Sequence, residues 1–161
     1  MRPAHAEAQK MFRLIGELKG YRTTSTFSRN SPTDGVWWGK PPLGIKEIPV
    51  VAIEVVNSES LKTLKGSLVT LAEVSPALGI LLIHEVDIRR RYIRDGKSAY
   101  DVEKLIAKKF ADARSHIPIY RQRIEVWSYT QLEYLHKLEK RNVCRSSKEH
   151  LNENFHYGEI L

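Results

Sequence analysis

The chain has one cysteine, Cys144, among 161 residues, which excludes an internal disulfide and a zinc site built from several cysteines. Its longest apolar run, Leu78–Ile83, is far too short to cross a bilayer. Neither standard glycine-rich phosphate loop occurs, so we expect no nucleotide cofactor and neither nucleotide hydrolysis nor hydride transfer. No apolar segment follows Met1 to His5, so the sequence indicates no signal peptide. We therefore expect a cytoplasmic protein with no membrane partner.

Positive charge is in excess. The chain holds 26 Lys and Arg against 19 Asp and Glu, a formal net charge of +7, which favours a polyanionic partner. The charge concentrates in two stretches, a predicted loop and the C-terminal region, with these members: Arg89, Arg90, Arg91, Arg94 and Lys97 in the first, and Lys137, Lys140, Arg141, Arg145 and Lys148 in the second. The alternative is that both are solvated patches that only maintain solubility.

Two carboxylates lie in apolar, strand-like segments. Glu54 interrupts the β-branched run 49–56, and Asp34 lies in a shorter apolar segment twenty positions earlier. An ionised carboxylate in a buried strand is costly unless a cation or a hydrogen-bond donor compensates it. On antiparallel neighbouring strands the two acids would meet around Mg²⁺, with Mn²⁺ as a substitute and the Val55 carbonyl as a further ligand. The alternative places each acid at a strand end or on a hydrated face.

Hydrophobic periodicity predicts a mixed α/β sheet flanked by helices, with an αβββαβ core followed by α-β-α. The predicted helices cover residues 5–19, 58–74, 101–113 and 131–140, and the predicted strands cover 21–27, 34–38, 50–56, 78–84 and 123–128. We assign residues 1–140 to a single domain. Because periodicity fades after residue 140, residues 141–161 are predicted to form an extension, basic and then polar, that is either loosely ordered or packed late.

Two helices offer further polar side chains. His5 and Gln9 adjoin the apolar face of the first helix, so we expect them to point at the sheet edge and hold a water or a phosphate. Capping or packing is the equal alternative. Lys62 and Lys65 follow one flank of the leucine stripe of the second helix, with Lys65 nearer the buried side.

The pattern Thr33-Asp34, then Ile53-Glu54-Val55-Val56 and a crossover helix, resembles the PD-(D/E)XK nuclease superfamily, the fold of many restriction endonucleases and Holliday-junction resolvases. The first helix, HxxxQxxFxxIG over residues 5–16, is similar to the opening helix of a subgroup of restriction-like proteins. The likeness covers about residues 5–85. The superfamily's lysine falls at Val56, a position that often holds another residue in that subgroup.

The resemblance implies a restriction endonuclease-like fold and a Mg²⁺-dependent endonuclease that hydrolyses DNA. It implies metal ligation by Asp34 and Glu54, with Lys65 or Lys62 in place of the missing lysine. His5 and Gln9 would support catalysis, and both basic stretches together with Lys62 would bind DNA. A single small domain that cuts both strands would act as a homodimer. The alternatives are a catalytically degenerate DNA-binding or assembly subunit and, more weakly, an RNA-directed nuclease.

Overall fold

A computed structural model describes residues 3–29, 32–41, 44, 46–57, 60–120 and 122–156, with side chains described through residue 144. Its five strands lie side by side in chain order. They are β1 (Arg22–Thr24), β2 (Gly35–Gly39), β3 (Ile48–Val56), β4 (Leu78–Ile83) and β5 (Ile124–Ser128). Strands β1 to β3 pair antiparallel, and β3 to β5 pair parallel. The predicted mixed sheet is confirmed.

Helices cover both faces of this sheet. They are α1 (Pro3–Leu18), α2 (Leu61–Val74), α3 (Glu85–Arg94), α4 (Ala99–His116) and α5 (Tyr129–His156), with a short 3₁₀ turn at Ile117–Ile119. Within the described ranges, none of these helices is long and apolar enough to span a membrane. The helices on both faces of the sheet confirm the predicted α/β class with flanking helices.

The alternation of side chains along β3 separates two hydrophobic cores. Ala52 and Val56 pack with α2, α3 and α4 in one core, whereas Ile53 and Val55 pack with α1 and α5 in the other. Strand β4 contributes to both cores, and five of its six residues are buried. Its continuous apolar sequence matches this burial on both faces.

Helix α2 begins at Leu61, three residues after the predicted start at Ser58, and positions 58 and 59 lie outside the described residues. The Ser60 side chain accepts a hydrogen bond from the amide of Thr63, as an N-cap does. At the other end Ser75 adopts a left-handed conformation with φ of 49°, and Pro76 follows.

The prediction that the first basic stretch lies in a loop is wrong, because residues 85–94 form α3. Acidic residues occupy its first turn and basic residues its last turn, as the helix dipole favours. The His84 side chain, buried at the end of β4, accepts a hydrogen bond from the amide of Asp87 and caps the helix. The helix was missed because its apolar pattern in the sequence is weak: Ile88 is the one buried aliphatic side chain of α3.

Helix α5 continues well past the predicted end at Lys140. Its backbone is helical to His156, so the predicted loose order from Arg141 onward is wrong for residues 141–156. Residues 141–144 are exposed, which explains why no apolar stripe marks the helix there. The remainder of the predicted extension, residues 157–161, lies outside the described residues.

Candidate active site

Asp34 and Glu54, hereafter the acid pair, are adjacent across strands β2 and β3. Gly35 pairs with Ile53 in the antiparallel register, so the residue before Gly35 comes opposite the residue after Ile53. The Asp34 amide donates a hydrogen bond to the Ile53 carbonyl over 3.1 Å, which continues the ladder just beyond the start of β2. The two carboxyl groups therefore belong to one end of one strand pair.

The carboxylate of Asp34 accepts three hydrogen bonds. Its Oδ2 accepts from the backbone N–H of Val55 at 2.7 Å. Its Oδ1 lies 2.6 Å from Nε2 of His5 and accepts from Nε2 of Gln9 at 2.7 Å. An ionised carboxylate only accepts hydrogen bonds, so Nε2 of His5 carries the proton in this arrangement. The structure thus brings together three residues that sequence reasoning had placed near the site.

Close packing of α1 on the sheet positions His5 and Gln9, which lie four residues apart on one helix face. The Phe12 ring stacks on Trp37 with ring centroids 4.6 Å apart, and the Trp37 indole N–H donates to the Phe12 carbonyl over 3.0 Å. A Cβ on Gly35 would lie 2.8 Å from the Phe12 ring. The absence of a side chain at residue 35 therefore permits the contact that brings Gln9 to Asp34.

The carboxyl group of Glu54 is unusually basic. Burial and then the negative charge of Asp34 raise its pKa, hydrogen bonds with the Ser67 side chain and the Asp34 backbone lower it in part, and the net result is a pKa of about 8. Its Oε1 is buried and has no hydrogen-bond partner among the described residues. Glu54 is therefore mostly protonated at pH 7, and ionising it beside Asp34 requires compensation by positive charge.

Ser67 of α2 is the residue at this site that sequence reasoning missed. It lies three residues after Leu64 and four before Leu71, both of which are buried, so its place within the leucine stripe was visible in the sequence. Lys62 and Lys65, which were predicted on the same helix, are both exposed. The half-buried side chain of α2 beside Glu54 is that of Ser67.

Val56, at the position of the missing lysine, is 1% exposed and packs in the core beneath α2. The side chain is thus part of the hydrophobic interior and faces away from solvent. The resemblance places a lysine at this position and implies that α2 supplies the substitute cation.

Three arginines of α3 are engaged by acids. Arg89 is paired with Glu103 at 2.7 Å, and this hydrogen bond raises the pKa of Arg89 and lowers that of Glu103. The other two pairs are Arg91 with Asp87 at 3.0 Å and Arg94 with Asp95 at 3.7 Å. Much of the charge predicted to bind DNA here is therefore balanced within the protein.

The remaining predicted phosphate contacts differ in their surroundings. Arg90 and Lys97 are exposed, and Lys97 lies over the Tyr92 ring with its nitrogen 5.6 Å from the centroid. On α5, Lys137 pairs with Glu133 at 3.3 Å. Lys140 and Arg141 are exposed, whereas the side chains of Arg145 and Lys148 lie outside the described residues.

The donor set of the acid pair fits a magnesium ion better than a zinc ion. In the described parts of the chain, no group of three or more His, Cys, Asp or Glu side chains is arranged to hold a metal. Mg²⁺ commonly uses one or two carboxylates, keeps several waters and shares substrate phosphates. The Val55 amide faces Asp34, and in a strand the carbonyl of the same residue points to the same side. Two carboxylates, with the orphaned Oε1 of Glu54 among their oxygens, and one carbonyl are compatible with such an ion.

A second polar cluster lies at the ends of β4 and β5 and has a structural explanation. The Glu85 carboxylate accepts hydrogen bonds from the amides of Tyr129 and Thr130, at 2.7 and 3.0 Å, and from the Thr130 hydroxyl. It thereby caps the first turn of α5. The His84 ring stacks on Tyr129 with centroids 4.0 Å apart, and burial lowers the pKa of His84.

No family model, no curated protein and no solved structure matches this chain. The chemistry of the site therefore has to be argued from its own geometry.

Proposed function

We propose that the chain is a Mg²⁺-dependent deoxyribonuclease with a restriction endonuclease-like fold, an endonuclease that hydrolyses DNA phosphodiester bonds. The observation that supports this is the acid pair, in which Glu54 has a pKa of about 8 because it is buried beside Asp34. Burying a carboxyl group next to a second carboxylate destabilises the folded protein, whereas a divalent cation bound between the two would compensate their negative charge. The order of elements, with a crossover helix after the second acid, is consistent with the resemblance to PD-(D/E)XK nucleases.

Each residue of the site has a separate role in this proposal. Asp34, Glu54 and the Val55 carbonyl would hold the metal, which when bound polarises the phosphate and lowers the pKa of a coordinated water. His5 and Gln9 are positioning residues, since their hydrogen bonds fix the orientation of the Asp34 carboxylate. Glu54 has to release its proton before it can act as a ligand, which links metal affinity to pH.

The positive charge that the missing lysine would supply is assigned to Lys65. This residue is exposed on α2, the helix that also brings Ser67 to Glu54. Residues two apart on a helix lie on different faces, so the flexible side chain of Lys65 has to fold over α2 to bring its ammonium group to a phosphate at the acid pair. Lys62 is the second choice on the same helix, and two copies of the chain in a homodimer would supply one site for each DNA strand.

A second candidate is a DNA-binding or assembly subunit without catalytic activity. It is favoured by the three hydrogen bonds that already occupy both oxygens of Asp34, and by the buried valine at the lysine position. This candidate predicts salt-sensitive DNA binding, because phosphate contacts release counterions. It predicts no metal-dependent cleavage.

The test is incubation of the purified protein with supercoiled plasmid and with four-way junction DNA, in Mg²⁺, in Mn²⁺ and in chelator. Glu54→Gln is the sharpest variant, because its side chain imitates the protonated carboxyl and so preserves packing. Asp34→Asn is the second variant, and Asp95→Asn, an exposed acid after α3, is the control. We expect cleavage by the wild type and the control only.

Two outcomes would decide against the nuclease. Cleavage that persists in chelator or in both site variants would place the activity elsewhere. Binding without any cleavage in either metal would support the non-catalytic subunit.

A further inference from the structure

An open cavity of about 200 Å³ adjoins Asp34, the first acid of the pair, on the side of α1. Asp34 and Gln9 form one part of its lining, and Lys10 and Arg13 from the next turn of α1 form another. Ligand sites for whole small molecules usually start at roughly 300 Å³. The cavity is therefore better suited to a segment of a chain that passes through, such as a sugar-phosphate unit, than to an entire free nucleotide.

A second cleft of about 260 Å³ lies on the other flank of α1, between α1 and α5. Lys10 lines both, and His136 and Lys140 line the second cleft from α5. Burial and the neighbouring Lys140 lower the pKa of His136, so this histidine is neutral at pH 7. The acid present in this lining is Glu7.

Two of the three cations along these cavities contact no acid among the described residues, whereas three of the four arginines of α3 do. Within the described residues, Lys10 and Lys140 make no ion pair and no hydrogen bond through their side chains. Arg13 faces Glu17 at 3.6 Å, a contact within one helix in which both side chains are about half exposed. Exposed pairs of this kind contribute little and are easily exchanged for a phosphate.

We propose that the DNA backbone reaches the acid pair across α1, with Arg13 and Lys10 binding phosphates beside Asp34 and Lys140 binding a phosphate further along. This inference rests on the proposed function and names the surface that holds its substrate. Lys10, Arg13 and Lys140 thereby replace the arginines of α3 as the principal phosphate contacts. Lys10 follows Gln9 in sequence, so one helical turn both orients the first acid and holds the substrate strand.

The test measures binding of a fluorescently labelled DNA duplex by anisotropy in chelator, as a function of salt. The variant is Lys10→Ala with Arg13→Ala, and the matched control is Arg90→Ala with Arg94→Ala, which removes the same charge from α3. Each lost phosphate contact lowers the slope of log affinity against log salt by about 0.9, or roughly eightfold in affinity at 0.1 M salt. We expect a loss of roughly sixtyfold for the α1 variant, and a change of less than about threefold for the α3 control.

The outcomes separate this inference from the proposed function. If the α3 variant loses the affinity and the α1 variant does not, the path across α1 is wrong, whereas Mg²⁺-dependent cleavage that requires Glu54 would still stand. Absence of any DNA binding by the wild type would overturn both. Lys10→Gln with Arg13→Gln is the second form of the α1 variant, and its far-ultraviolet circular dichroism shows whether α1 remains folded.

Discussion

The carboxylate of Asp34 accepts a hydrogen bond from the backbone amide of Val55, the residue that directly follows Glu54. The first acid is thereby tied to the strand that carries the second acid. This hydrogen bond extends the contact between the two strands beyond the last pair of the ladder, Gly35 with Ile53. The separation of the acid pair is consequently set by the backbone of β3, which is more rigid than a surface side chain.

The stability of the protein should fall as the pH rises from about 4.5 to about 8. Across this range the folded protein keeps the proton on Glu54, whose pKa is about 8, while the unfolded chain loses it at its ordinary pKa of 4.5. The unfolded state then binds fewer protons than the folded state, so raising the pH favours unfolding. Glu54→Gln should remove this contribution and stabilise the protein at pH 8 by at most about 4 kcal/mol, because the pKa shift from 4.5 to about 8 corresponds to roughly 1.4 kcal/mol for each pK unit and half of Glu54 is already ionised in the folded protein at pH 8.

Urea denaturation at pH 5.5 and at pH 8 gives the free energy of unfolding of the wild type and of Glu54→Gln. The change between the two pH values is then compared between the two proteins. Other groups titrate as well, so the comparison between the two proteins is decisive. An identical pH dependence for both would show that the pKa of Glu54 is close to normal.

Binding of Mg²⁺ or Mn²⁺ should release close to one proton for each ion at pH 7. The reason is that Glu54 is mostly protonated in the free protein, whereas a carboxyl ligand has to be ionised. Isothermal titration calorimetry in two buffers of different ionisation enthalpy counts the protons. Glu54→Gln should bind the metal more weakly and release none, whereas Asp95→Asn should behave as the wild type does; ion binding without proton release in the wild type would contradict the assignment.

Gln9→Ala and His5→Ala should weaken metal binding and cleavage by about tenfold to a hundredfold, the usual effect of losing a residue that orients a metal ligand. Each variant removes one donor from Oδ1 of Asp34 and leaves Glu54 in place. The cleavage rate as a function of Mg²⁺ concentration distinguishes this role from direct catalysis, since high Mg²⁺ should restore much of the rate. Ser115→Ala, at the exposed end of α4, is the control.

Two glycine substitutions should have opposite effects on stability. A Cβ at Gly35 would lie 2.8 Å from the Phe12 ring and 3.1 Å from Ile53, so Gly35→Ala should cost about 1–3 kcal/mol and displace α1. Gly66 lies within α2 with nothing within 4 Å of its position for a Cβ, so Gly66→Ala should stabilise by about 0.5–1 kcal/mol. Urea denaturation measures both, and equal effects would show that the packing of α1 on β2 is loose.

The parts of the fold that follow from strong local patterns could be predicted from the sequence. The β-branched run of β3 and the continuous apolar run of β4 gave strands close to their observed bounds, Ile48–Val56 and Leu78–Ile83. Because β2 and β3 are consecutive in the chain and paired antiparallel, Asp34 and Glu54 were expected to meet. The helical spacing of His5 and Gln9 placed both residues on one side of α1.

The remainder depended on tertiary context. Helix α3 has a single buried aliphatic side chain, Ile88, and is stabilised by His84, the Asp87–Arg91 pair and the contact of Arg89 with Glu103. None of these produces an apolar period in the sequence. The register that brings Ser67 to Glu54 depends on where α2 crosses the sheet, which sequence alone does not specify.

Helix α1 combines in adjacent residues two properties that proteins often keep on separate elements. Gln9 donates a hydrogen bond to the Asp34 carboxylate, and Lys10 lines both neighbouring cavities. A rotation of this helix about its own axis would move both groups at once, so neither can be adjusted without disturbing the other. Substitutions along the Phe12–Trp37 contact, which sets that rotation, should therefore alter substrate affinity and turnover together.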